Sequence, residues 1–259
     1  MDSLPKTFAD LQSGGYYLLG LARHSGRTAE TQKRLDNTGF QQGSIWHGVD
    51  GFFENIPEVC KKLGMPWLEF PESMGPGHIG CALSHISIWK HIMDQKLPYG
   101  LIFEDDALPH PEIQKLGPIW YNQTPRNVDM IFLGNQMNPD DYRIYDPNQK
   151  VIESPCFCLH AYIITYDGAQ QLLTLLESCP IDAIDKCIVS WQQKALFSWV
   201  CWNGTFLPRP YPVFHPTIQH SQEEPLIVYK RDNGLIYQDF WLGNTILSQN
   251  QILHYVKYD

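Results

Sequence analysis

The sequence has no run of lysine or arginine, and its formal charge is −9. Nucleic-acid affinity rests on clustered positive charge, so a protein that tracks a phosphate backbone is excluded at the outset. An anionic ligand stays compatible with the acidic balance where a divalent cation screens its phosphates from the protein's own carboxylates. No apolar stretch is long enough to span a bilayer. The opening MDSLPKTFADLQSGG has neither a basic start nor an apolar run, so it does not read as a secretory signal, and the expected location is the cytoplasm. The seven cysteines form no CxxC pair of zinc spacing. Cys156 and Cys158 lie two apart, which suits alternating positions on a strand, and reduced thiols are expected. Without export, the sequons at Asn122 and Asn203 read as chance matches. GxSxG, HExxH and phosphate-loop signatures are missing, which removes the usual serine hydrolase, zincin and ATPase readings.

What is present reads as an α/β chain forming a single domain over 1–259, with 43% hydrophobic residues to build a core. A short apolar run over 16–21 follows Gly14 and Gly15 and predicts a buried strand feeding a helix. The spacing predicts a helix over 28–37 capped by Thr28, a strand over 44–48, and a helix over 57–63 that stops at Gly64. Ile79, Leu83, Ile86, Trp89 and Met93 recur at helical spacing and predict an amphipathic helix, which leads through Pro98 into a strand over 99–103. Residues 130–133 and 161–165 are further strand candidates, and Asp167 is placed to cap a helix running to Ser178. Beyond that point five prolines between Pro208 and Pro225 interrupt regular structure, and the aromatic-rich tail over 229–258 shows no period.

Glu104, Asp105 and Asp106 follow the strand over 99–103 without a spacer. Ligands bind at such C-terminal strand ends in open α/β sheets. Adjacent like charges where a buried strand surfaces are costly unless a cation offsets them, and a hard divalent ion, Mn²⁺ or Mg²⁺, is the simplest offset. Alternation would aim Glu104 and Asp106 one way and Asp105 the other. The plainer reading is a solvated turn whose acids cap the next element. Elsewhere, His85 is a candidate base, although a helix histidine satisfied by a local hydrogen bond is the commoner case. His215 and His220 flank a proline-broken loop, where His220 could give a nitrogen to the metal. Asp182 and Asp185 follow Pro180 and could cap a helix or serve catalysis.

Taken together, these segments resemble glycosyltransferase family 25, the lipooligosaccharide and collagen galactosyltransferases. YYLLGLARHSGR from Tyr16, HGVDG from His47, and GHIGCALSHISIWK from Gly77 followed by LIFEDDA from Leu101 stand in the family's order. VDMIFLG from Val128, HAYIITYDGAQQLL from His160 and Pro180-Ile181-Asp182 resemble its later blocks, with a weaker echo around Gln219. Two positions depart from the pattern. The first loop reads Leu21-Ala22-Arg23 where relatives carry an acid followed by basic residues, and His78 stands in place of a common acidic residue. Both bear on donor identity more than on reaction type.

The resemblance implies a GT-A-type nucleotide-sugar-binding fold with a central mixed sheet flanked by helices. Residues 1–110 would form mainly the nucleotide half, and 111–259 mainly the acceptor half and tail. It implies an inverting transfer from a UDP-sugar, by default galactose, to a glycan or glycoconjugate acceptor. Asp106 would ligate the metal; Glu104 would face the donor's ribose or the metal shell; Arg27, Asp50 and Ser84 would line the nucleotide site, with Asp105 beside them. Asp182 is the first choice for general base and Asp185 the second, and Trp202, Tyr211, Tyr237 and Trp241 are candidates to stack on an acceptor sugar. Two other functions compete: a metal-dependent nucleotide-sugar hydrolase or phosphodiesterase, and a non-catalytic sugar-binding domain of the same fold.

Overall fold

The protein is described by a computed structural model covering residues 4–137, 150–178, 181–203, 206–207 and 231–238. In chain order the elements are α1 (Phe8–Ser13), β1 (Tyr16–Gly20), a 3₁₀ turn (Ala22–His24), α2 (Ser25–Asn37), β2 (Gly43–His47), α3 (Ile56–Lys62), α4 (Pro76–Asp94), β3 (Tyr99–Glu104), β4 (Ala107–Pro109), α5 (Ile113–Gln123) and β5 (Met130–Met137). There follow β6 (Val151–Ile152), β7 (Phe157–Thr165), α6 (Tyr166–Ser178), α7 (Ile184–Gln193), β8 (Trp199–Trp202), β9 (Phe206–Leu207), β10 (Arg231–Gly234) and β11 (Ile236–Gln238).

The main sheet runs β2-β1-β3-β7-β5-β10-β9. β1 lies parallel to both β2 and β3, whereas β7 runs antiparallel to β3 and β5. This is the mixed α/β sheet flanked by helices that the sequence predicts. Alternation divides its side chains between two cores. Ile102, Phe132, Tyr162 and Ile164 face α4, α6 and α7, while Leu101, Phe103, Ile131 and Ile163 face the layer of α1, α2 and α5. Burial on both faces explains why the strands read as continuous apolar runs.

Helix α4 differs from its expected amphipathic character. Ala82, Leu83, His85, Ile86, Ile88, Trp89 and Ile92 are all buried, so the helix is enclosed on more than one side. The apolar stripe was a correct sign of a helix and an underestimate of its burial. Two caps also differ. α2 starts at Ser25, and the Thr28 hydroxyl bonds back to the carbonyl of His24 at 3.3 Å from within the first turn. α6 starts at Tyr166, and the Thr165 hydroxyl, one residue before it, accepts the Gly168 amide, leaving Asp167 inside the first turn.

Part of the tail is regular after all. β10 pairs antiparallel with β5 and turns through Gly234, whose φ of +107° is cheap only for glycine. The chain then forms β11 against β4, the short strand directly after the acid triplet. No helix among the described residues is long and apolar enough to cross a membrane.

Candidate functional site

Parallel pairing sets Leu19 beside Glu104 and Gly20 beside His47, so β1, β2 and β3 end at one edge of the sheet. A cleft opens there, walled by the loops after β1 and β2, the first turn of α4 and the first turn of α7. The loop after β2 is clamped to α4 at close range. A side chain on Gly80 would come within 2.5 Å of the Val49 carbonyl, and one on Gly51 would overlap the carbonyl of Pro76. Ser84 completes the clamp: its hydroxyl donates to Gly80 O at 2.6 Å and accepts the Val49 amide at 2.8 Å. Ser84, a nucleotide-site candidate, thus lies in the cleft wall with its hydrogen already engaged. Gly75, Gly77 and Gly80 also have GxGxxG spacing, but no strand leads directly into them, so the dinucleotide-binding context is missing.

The three acids take separate partners. Glu104 accepts from His85 Nε2 at 2.9 Å, and the other ring nitrogen of His85 meets the Tyr162 hydroxyl at 3.0 Å. Trp89 Nε1 donates to the same hydroxyl at 2.9 Å. Since indole only donates, the Tyr162 hydrogen is left to serve His85 Nδ1, and His85 Nε2–H donates to Glu104. Asp105 turns to the opposite side, where Arg27 of α2 donates to its Oδ1 and Thr31 donates to its backbone carbonyl at 2.6 Å. Asp106 Oδ2 accepts from Gln238 of β11, which in turn accepts from Gln136, each at 3.0 Å. Alternation put Asp105 opposite Glu104 correctly; the partner from the tail had no sign in the sequence.

The Asp105 carboxyl is raised to about 6: burial pushes it up most, Arg27 pulls it down, and Asp106 and Glu104 add to the rise. Arg27 shows the converse balance: burial favours its neutral form, but the acids outweigh burial and raise its pKa. One guanidinium therefore faces three carboxylates, and Asp105 Oδ2 is buried without a hydrogen bond. All three carboxylates line the cleft, and this anion-rich oxygen set fits a hard divalent cation.

Asp50 lies in the loop after β2 and accepts from Arg23 Nε at 2.5 Å. Arg23 also lies over the rings of Phe52 and Phe53, 5.7 and 5.8 Å from their centroids. The two candidates for base separate clearly. Asp182, the first choice, is 63% exposed, bonds the Ala183 amide and pairs with Lys186 at 3.6 Å. Asp185, in the first turn of α7, lines the cleft. Trp202 and Tyr237 are fully buried core residues and not an exposed sugar platform. His220, His215, Tyr211 and Trp241 lie outside the described residues. Arg23, Phe52, Cys81, Cys158 and Gln238 also line the cleft and were not among the site candidates from the sequence.

The sequence profile of "Glycosyltransferase family 25 (LPS biosynthesis protein)" matches residues 16–188, and the chain belongs to that family. A Haemophilus influenzae "Putative glycosyltransferase" is 31% identical over 142 residues, 51% of this chain and 49% of that protein. Human "Procollagen galactosyltransferase 2" is 30% identical over 162 residues, 57% of this chain and 26% of that one. Human "Inactive glycosyltransferase 25 family member 3" is 28% identical over 154 residues, 54% and 26% of the two chains. The chain thus spans half or less of these relatives' own length. The apo crystal structure of mouse xyloside xylosyltransferase 1 aligns at a TM-score of 0.33 and 12% identity over 74% of this chain and 72% of that one, too slight a likeness to bear on the fold.

Proposed function

We propose that the chain is a glycosyltransferase that takes a UDP-sugar, by default UDP-galactose, and passes the sugar to a glycan or glycoconjugate acceptor with inversion, in a GT-A-type fold. The observation that carries this is the acid triplet at the junction of β1 and β3, splayed toward three partners at the floor of a cleft. Family membership supplies the reaction class, and the named galactosyltransferase relative supports galactose.

In this reading Asp106, with Glu104, holds Mn²⁺ or Mg²⁺. When bound, that ion neutralises the negative charge that builds on the leaving diphosphate. The remaining work belongs to the chain's own side chains. Arg27 fixes Asp105 and keeps one positive charge next to the phosphate site. The Asp50–Arg23 pair and Phe52 shape the nucleotide end of the cleft. Asp185, placed in the wall by α7, accepts the acceptor hydroxyl's proton as that oxygen attacks opposite the diphosphate. Asp182, exposed and two residues before α7 begins, is the second choice.

Release of nucleoside diphosphate from UDP-sugars, dependent on Mn²⁺ and on added acceptor, tests the reading. Release of free sugar without acceptor would move the assignment to a hydrolase. Relatives named inactive keep the non-catalytic alternative open, and failure to bind any nucleotide sugar would favour it.

A further inference from the structure

A second group of donors lies beside the acid triplet and differs from it in chemistry. Cys81 Sγ, a His85 ring nitrogen and a Glu104 oxygen all lie within 4.8 Å of one another. Cys81 and His85 are four residues apart on α4, so they share a face of that helix, and Glu104 reaches them from the end of β3. We propose that these three side chains form a site for a borderline, thiophilic divalent ion of the zinc type, distinct from the oxygen-only site expected at Asp106.

Three features support it. The donor set is one thiolate, one imidazole and one carboxylate, which suits Zn²⁺ and disfavours Mg²⁺. Three protein ligands leave a fourth tetrahedral position, and the approach for ion and water is open because Cys81 and Glu104 both line the cleft, Glu104 with 19% of its side chain exposed. The third is the support behind the histidine. Tyr162 holds His85 Nδ1 and is itself fixed by Trp89, the outer hydrogen bonding that orients a metal-binding imidazole.

The proton balance also closes. Binding releases the Cys81 thiol proton, and the His85 proton moves from Nε2 to Nδ1. The Tyr162 oxygen accepts it there beside the Trp89 donor, and the Tyr162 hydroxyl hydrogen turns away from His85. Filling this site takes Glu104 away from the donor side of the cleft, so zinc would act as an inhibitor competing with Mn²⁺-supported chemistry.

The test uses the full chain without nucleotide sugar, so its failure is separable from failure of the transferase reading. Co²⁺ is titrated as the spectroscopic stand-in, and Zn²⁺ affinity is measured by competition with a chromogenic chelator. The expected result is one ion per chain, with a thiolate-to-cobalt charge-transfer band that disappears in Cys81→Ser. That variant should lose more than about tenfold in Zn²⁺ affinity, and Tyr162→Phe about tenfold, through loss of ligand support. Circular dichroism confirms that both remain folded. Absence of stoichiometric binding, or a band and affinity unchanged in Cys81→Ser, would overturn the proposal; the latter would place the ion on other cysteines.

Discussion

Asp105→Asn isolates the electrostatic strain at the centre of the site. The carboxyl is nearly enclosed, and its pKa rises from 3.8 to about 6 because burial outweighs the contact with Arg27. The shift is about two pH units, and each is worth about 1.4 kcal/mol, so the whole effect is about 3 kcal/mol. Its sign follows from which state binds the proton more tightly. The folded pKa is the higher one, so the stabilisation from protonated Asp105 is complete below about pH 4 and is lost as pH rises through about 6. Asparagine keeps an acceptor for Arg27 and removes the titration, so any constant offset from the substitution is the same at each pH. Urea unfolding of both proteins in EDTA, from about pH 4 to about pH 7.5, measures the difference. Over that window the variant should gain up to about 3 kcal/mol relative to the native chain. A flat difference, or one that moves against the variant, would mean that Arg27 dominates and that the site is not short of positive charge.

Other outcomes follow from the same geometry. Asp185→Asn should lower kcat by about a hundred- to ten-thousand-fold, the usual contribution of a general base, while Asp182→Asn changes it less than about twofold; similar losses in both would remove the distinction drawn from their exposure. Gly80→Ala drives a methyl into the Val49 carbonyl and should cost about 1–3 kcal/mol, read as a lower Tm, with weaker nucleotide binding as the β2 loop shifts. Trp202→Ala empties a fully buried ring site between Phe8 and Trp120 and should cost about 3–5 kcal/mol without changing acceptor KM in the folded fraction; a selective rise in acceptor KM would restore the aromatic platform.

The legible part of the fold was the part governed by local pattern. The strand candidates at 16–21, 44–48 and 99–103 fall on β1, β2 and β3; β1 and β3 are buried apolar runs bounded by turns, while β2 is a largely exposed edge strand. The acids were legible for the same reason: three carboxylates directly after an apolar strand have to surface where that strand ends. Their partners were harder. Arg27 stood out through the resemblance, but Gln238 sits in a three-residue strand held by pairing with β4, and such pairing leaves no period to detect. His85 illustrates the limit of a helical pattern. Its position on α4 was clear, yet its bonds to Glu104 and Tyr162 depend on how β3 and β7 pack against that helix. The sequence could not rank Asp182 and Asp185 for a similar reason, since the start of α7 decides which acid turns toward the cleft.

Nucleoside diphosphate release from a panel of UDP- and GDP-sugars with Mn²⁺, comparing the native chain with Asp106→Ala, is the decisive measurement. Mn²⁺-dependent turnover of one donor, lost in the variant, is expected. No turnover and no metal-linked nucleotide binding across the panel would contradict it and favour a non-catalytic member of the family.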